Sequence, residues 1–417
     1  MTKTTNAAQT APRPLVQWIS RNTAPHGRDL ESESPIGAIA TSVIGAAHLG
    51  NTLAAARRDG RGVLVDTEAW REQLEPDDDH RGGEFRRLGL ELDRKRRLRP
   101  SEDALAPAAR SELVARHRNA QIAAGGSILL SPYHRVREED ALSRGRLLDL
   151  ALAHEFVELA ETTGAVDGPG ATGKRSVAVG IAINASTLTM TGITELISGY
   201  REVGADLFWI WVWNFTSSRL QYERVHALAT GLQAVTATPC LLGGLGRLWE
   251  AAMRNGVAAA CQGWGRTRMP FPPPQPPESV EGGGEDSEDD DGWGVHAFHR
   301  AIRGTTKLGP EHEEPLRRLF SELPCECGHH IRDAVPHSQP ERHGHNRADA
   351  EELVREIAAL GADGAREELD EIVAEAESHR ARLELGALHR GWHAAAELPA
   401  ATRAPALPVD IWLRKTG

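Results

Sequence analysis

Cys325 and Cys327 stand one residue apart in "CECGHH", and His329, His330, His337, His343 and His345 follow within 20 residues. Thiolates and imidazoles are the donors zinc takes, four to a tetrahedron, and structural sites combine a tight pair with more distant ligands. The two cysteines supply the tight pair. His329 or His330 adds a donor two or three residues on, and His337, His343 or His345 offers the fourth. Four cysteines in 417 residues do not make a disulfide framework, so a close pair points to metal.

A second set of chemical groups falls at the ends of apolar runs. These runs are Ile36–Gly45, Gly62–Thr67, Ser127–Tyr133, Ser176–Asn184, Asp206–Asn214, Pro239–Gly246 and Gly256–Gly263. Each is near-continuously apolar, as a parallel strand buried on both faces must be. Between them lie helix-period stretches such as "RLLDLALAHEFVELAETTG" and "RLQYERVHALATGLQ". Seven strands, one more unassigned, and intervening helices predict an α/β fold: a (β/α)8 TIM-like barrel, with a C-terminal zinc-binding segment and helical tail. In such barrels chemistry sits at the C-terminal strand ends. Those ends carry Asp66, Tyr133, His134, Asn184, Asn214, Gly243, Gly244 and Cys261, with Gln262 beside it. Asp66 is either functional or the N-cap of the helix after it. Cys261 reads first as a small buried hydrophobe, and as a nucleophile only if Arg266 and Arg268 approach it. Trp209, Trp211 and Trp213 alternate along one strand face, to pack or, at the barrel mouth, to stack on a base.

The expected organisation is an N-terminal extension over 1–35, a barrel over 36–270 and a Pro-rich acidic insertion over 271–293. The zinc segment and C-terminal helices take 294–385, and a tail takes 386–417. The net charge is −11, but eight acids and no base lie between Glu278 and Asp291, leaving −3 elsewhere. That tract lacks the apolar residues a core needs and is expected to be disordered. "DRKRRLRP", Asp93 to Pro100, is a candidate phosphate-binding patch or a solvated helix face. "GPGATGKR", Gly168 to Arg175, resembles a nucleotide-binding loop but leaves a helix for a strand, the reverse of what phosphate binding needs. No apolar run is long enough to cross a membrane, and the N-terminus lacks the apolar core of a secretion signal, so a cytoplasmic protein is expected.

The pieces, in this order, resemble the tRNA-guanine transglycosylases. In that family a C-terminal zinc is held by Cys-x-Cys-x-x-Cys and a later His that opens a charged helix as "HN". Here "CECGHH" precedes "HNRADAEELVREIAAL". The resemblance implies a structural Zn2+ on Cys325, Cys327, His330 (for the third cysteine) and His345. "PCLLGGLGRLWEAAMRNGVAAACQGWGRTR" is similar to the family's glycine-rich strand end, helix, strand and closing "TR". "GVLVDTEAW" places Asp66 at the family's base-binding, proton-handling aspartate. The family's nucleophilic aspartate has no carboxylate counterpart in "AAACQG", where Cys261 or Gln262 is nearest.

Three functions follow as expectations. One is a transglycosylase-like enzyme acting on a guanine or 7-deazaguanine site in tRNA or DNA. Asp66 and Cys261 are then its catalytic candidates, and Tyr133, His134, Asn184, Asn214, Gly243, Gly244, Arg266 and Arg268 bind substrate. Another is a catalytically inactive zinc-stabilised nucleic-acid-binding or partner subunit, a homodimer being open to it. The third is an unrelated barrel enzyme for a small molecule, with His134 and Asp66 as acid–base pair.

Overall fold

Eight parallel strands close on themselves in the computed structural model, each hydrogen-bonded to its sequence neighbours and the last to the first. The described residues are 14–19, 34–69, 106–134, 144–162, 175–213, 215, 218–236, 238–263, 296–307, 313–388 and 390–398, a few of them, Gln262 included, by backbone alone. The strands are β1 Leu15–Trp18, β2 Ile36–Ser42, β3 Gly62–Asp66, β4 Ile128–Leu130, β5 Ser176–Asn184, β6 Leu207–Trp213, β7 Cys240–Gly243 and β8 Ala259–Gly263. The helices between them are α1 Val43–Arg58, α2 Pro107–Ala123, α3 Arg144–Thr162, α4 Met190–Tyr200, α5 Arg219–Thr236 and α6 Trp249–Arg254. This is the TIM-like (β/α)8 barrel that the apolar runs predict.

The eighth strand is β1, inside the segment read from sequence as an N-terminal extension. It pairs with β2 on one side and β8 on the other, Leu15 opposite Ala260 and Trp18 opposite Gly263. The run Ile36–Gly45 divides between a strand and a helix, because Ser42 Oγ accepts the Gly45 N–H at 3.0 Å and caps α1. Strand alternation separates two layers. Val16, Ala38, Leu64, Ala178, Trp209 and Leu241 face the barrel interior. Leu15, Ile39, Val63 and Val65 face outward to a layer that includes α1 residues Leu49 and Leu53.

The C-terminal part is built on the barrel's outside. A hairpin of β9 His296–His299 and β10 Gly304–Lys307 precedes α7 Glu313–Glu322, α8 Gln339–Glu367, α9 Leu369–Arg382 and α10 Arg390–Glu397. A capping box at Ser338 and Glu341 starts α8. The tail reading over 386–417 contains α10, whose Trp392 joins the same core cluster as α5 and β7. A buried ionic lattice ties the halves together. The Arg254 side chain, fully buried, reaches Glu250, Glu356 and Glu368, and Arg303 reaches Glu250 at 2.9 Å. No helix among the described residues is long and apolar enough to cross a membrane. The acidic insertion, "DRKRRLRP" and all but Arg175 of "GPGATGKR" lie outside the described residues.

Candidate functional site

Four donors meet where α8 begins. Cys325 Sγ, Cys327 Sγ and one nitrogen each of His330 and His345 all lie within 4.8 Å of one another. Cys325 Sγ and His330 Nε2 are each 3.2 Å from His345 Nδ1. Metal–donor bonds of about 2.0–2.3 Å give tetrahedral edges of roughly 3.3–3.8 Å, so the set is close to the size a zinc tetrahedron needs.

The surroundings fix which nitrogen faces the centre. His345 donates its Nε2–H to the Phe298 carbonyl at 2.5 Å, which leaves the Nδ1 lone pair for the cluster. His330 donates Nδ1–H to the Ile331 carbonyl at 2.8 Å, leaving Nε2. The backbone N–H groups of Cys327 and His329 point at Cys325 Sγ and Cys327 Sγ, each at 3.4 Å, and favour thiolates. Hydrogen bonding from Cys325 pulls the Cys327 thiol well below its usual range, and the same bond pushes Cys325 up. Two thiolates and two neutral imidazoles would neutralise a divalent ion, and the donor set fits zinc.

The neighbours explain why His330 and not His329 joins the set. His329 packs on Gly344, where a Cβ would lie 2.6 Å from the imidazole. Phe320 sits behind the cluster, its ring centroid 5.0 Å from His299, 5.6 Å from His330 and 5.8 Å from His345. Asn346 completes the "HN" pair: its Oδ1 accepts the Phe298 N–H at 3.1 Å, while His345 holds the carbonyl of the same residue. A cleft of about 610 Å3, lined by Cys327, His329, Arg300, Asp349, Glu352 and Arg355 among others, gives access from solvent.

The barrel mouth is assembled differently. Asp66 ends β3 and is 1% exposed. Its Oδ1 accepts the Glu68 N–H at 2.7 Å and its Oδ2 the Tyr133 hydroxyl at 2.6 Å. The first bond closes an Asx turn, with Glu68 in the left-handed region at φ 52°. Burial, then the charge of Asp66, raises the Tyr133 phenol well above its usual range, so it stays a donor. Cys261 faces the same interior. Burial first and Asp66 second push its thiol up, which disfavours the thiolate.

Gly243 and Gly244, expected to bind substrate, lie close against other parts of the chain on the side where a Cβ would stand. A Cβ on Gly243 would lie 2.3 Å from the Trp211 ring, and one on Gly244 2.0 Å from the Val212 carbonyl oxygen. Trp211 in turn stacks on Trp209 at 5.8 Å and meets Trp18 at the same distance. The indoles pack the interior, and Gly180 likewise makes room for the Tyr133 ring.

His134 is held by Asp149. Its Nδ1 lies 2.6 Å from Asp149 Oδ1 on α3, and its N–H donates to Asp149 Oδ2 at 3.0 Å, both side chains being almost wholly buried. Asp149 escaped the reading of the sequence; its signal is a lone acid within the apolar stretch "LLDLAL". Asn184 Oδ1 accepts the Ser186 hydroxyl at 2.7 Å in a local turn. Asn214, Arg266 and Arg268 lie outside the described residues, as does the Gln262 side chain.

No protein family matches this sequence. No curated protein matches it either. Among solved structures, the chain is similar to the type I 3-dehydroquinate dehydratase from Clostridium difficile, solved with covalently modified comenic acid. The identity is 11% and the TM-score 0.37, over 61% of this chain and 86% of the dehydratase.

Proposed function

We propose that this chain is a zinc-stabilised, catalytically inactive nucleic-acid-binding subunit built on a transglycosylase-type barrel. The observation that carries this reading is a contrast: a complete four-donor cluster beside a barrel interior filled by the chain's own rings. Zinc at Cys325, Cys327, His330 and His345 supplies a structural cross-link between the loop after α7 and the start of α8. Cys261, where the family it resembles carries a carboxylate, is a buried thiol whose surroundings disfavour the thiolate, which supports the inactive reading. Asp66 holds Tyr133 and the turn to Glu68, and the Trp211 ring lies against Gly243, which supports a filled interior.

The purified protein is expected to carry one zinc per chain and to bind structured tRNA or duplex DNA with an affinity that falls steeply with salt. Labelled guanine should not enter the nucleic acid. Measurable incorporation would overturn the inactive reading, and salt-independent or absent binding would overturn the nucleic-acid partner. A second reading, a barrel enzyme for a small molecule, is favoured by the buried His134–Asp149 pair, a carboxylate-oriented imidazole at the end of β4. That reading requires a small-molecule turnover that His134→Gln abolishes.

A further inference from the structure

Arg247 stands on the turn that leaves β7, three residues beyond Gly244. Its guanidinium carbon lies 3.7 Å from the centroid of the Phe298 ring, a close cation–π contact. Phe298 is 1% exposed, and α8 holds both polar groups of its backbone, Asn346 taking the N–H and His345 the carbonyl. Asp349 lies one helical turn beyond His345 on α8. Burial pushes the Asp349 carboxyl up to about 6, and the charge of Arg247 is the largest force opposing that rise.

An unbroken chain of contacts therefore leads from a cluster donor to the barrel mouth. It runs from His345 to Phe298, from Phe298 to Arg247, and through the turn to the glycines on which Trp211 and Val212 rest. A metal on Nδ1 fixes the His345 ring, so its Nε2–H stays aimed at the Phe298 carbonyl.

We propose that Phe298 and Arg247 are positioning residues through which metal occupancy of the Cys325–Cys327–His330–His345 cluster sets the turn between β7 and α6. The proposal rests on the cluster being a metal centre, and not on the nature of the macromolecule bound. Linkage makes it reciprocal: the factor by which metal binding favours the ordered turn is the factor by which the ordered turn strengthens metal binding.

The test uses the full chain. Zinc content and zinc affinity, by chelator competition, are measured together with amide exchange across Leu245–Arg254. The variants are Arg247→Met, Arg247→Lys, Phe298→Leu and Phe298→Tyr. Arg247→Met and Phe298→Leu are expected to weaken zinc at least about fivefold and to speed exchange in the turn of the zinc-loaded protein by a similar factor. Arg247→Lys and Phe298→Tyr, which keep the cation and the ring, should restore most of both, with exchange in α4 unchanged throughout. Parent-like zinc affinity and turn exchange in Arg247→Met would overturn the proposal, as would Arg247→Lys behaving like Arg247→Met. Should Phe298→Leu fail to fold, the two Arg247 variants decide, since that side chain is half-buried at the surface. A parent protein without zinc sinks the metal centre itself, a result read separately from the variants.

Discussion

The cluster at the start of α8 and the mouth of the barrel are both gatherings of polar side chains, but they are satisfied in opposite ways. At the mouth each partner named here completes another: Tyr133 serves Asp66, Asp149 serves His134, Ser186 serves Asn184. At the cluster the hydrogen bonds lie on the outside. Backbone carbonyls take the far N–H of His330 and His345, and the near lone pairs converge with two sulfurs on one point. Donors that turn away from one another's protons and toward a common centre mark a place for a cation. Donors that close on themselves mark a packed core.

The largest effect expected from this contrast is at the cluster. Cys325→Ala or His345→Ala should abolish zinc binding and cost about 5 kcal/mol or more, given how strongly structural zinc stabilises small units. Metal analysis beside thermal unfolding reads both, and unchanged melting in a zinc-free variant would break the contrast on this side.

At the mouth the expected losses come from packing. Trp211→Ala should cost about 3–5 kcal/mol by opening an indole-sized void. Gly243→Ala should cost about 1–3 kcal/mol by pressing a methyl group into that ring. Because the two touch, the pair should be non-additive: Gly243→Ala ought to be nearly harmless when Trp211 is already Leu. Additive losses in denaturant unfolding would mean that Trp211 does not occupy the glycine seat.

A smaller effect belongs to the helical layer, as a control away from both regions. His226 on α5 is buried, and that burial, helped by the charge of Arg366, lowers its pKa to about 4. The unfolded chain takes up this proton near pH 6.5, the folded chain only near 4. Stability is therefore complete above about pH 6.5 and is lost as pH falls toward 4, by about 2–3 kcal/mol. His226→Phe keeps the stack on Tyr222 and should flatten that part of the pH profile of the urea midpoint. Equal acid sensitivity in both proteins would assign the effect elsewhere. Least of all, Cys261→Ala should cost about 1 kcal/mol. In the native protein that thiol should resist alkylation at pH 8; rapid modification would reopen a role for it.

What the sequence discloses follows from how each feature is encoded. Seven strands are legible because parallel barrel strands are apolar on both faces. Leu15–Trp18 is not, being four residues long with Gln17 in the middle. Strand β4 is shorter than its apolar run: Ser131 still donates its N–H to the Ala178 carbonyl while its Oγ accepts the Gly180 N–H, and beyond it Tyr133 turns to reach Asp66. The cysteine pair and the "HN" pair are local, so the donor set can be read in one dimension, although the helix starts at Gln339, six residues before His345 and not at it. The glycine turn after β7 is local too, yet its occupant is Trp211, one strand away. Spacing names a cradle but not what lies in it. Asp149 and Phe298 act through residues 15 and 47 positions distant, which periodicity does not report.

Barrel closure through β1 also orders the protein's making. Leu15 meets Ala260 across about 245 residues of chain, so β1 waits for all of that stretch to be made before its second neighbour exists. Until then a sheet of β1 to β7 is open at both edges, and the last ladder to zip is the one with the highest loop-closure entropy. Vectorial synthesis thus leaves a long interval in which the nascent chain exposes apolar edges, and the demand for chaperone shelter falls within it.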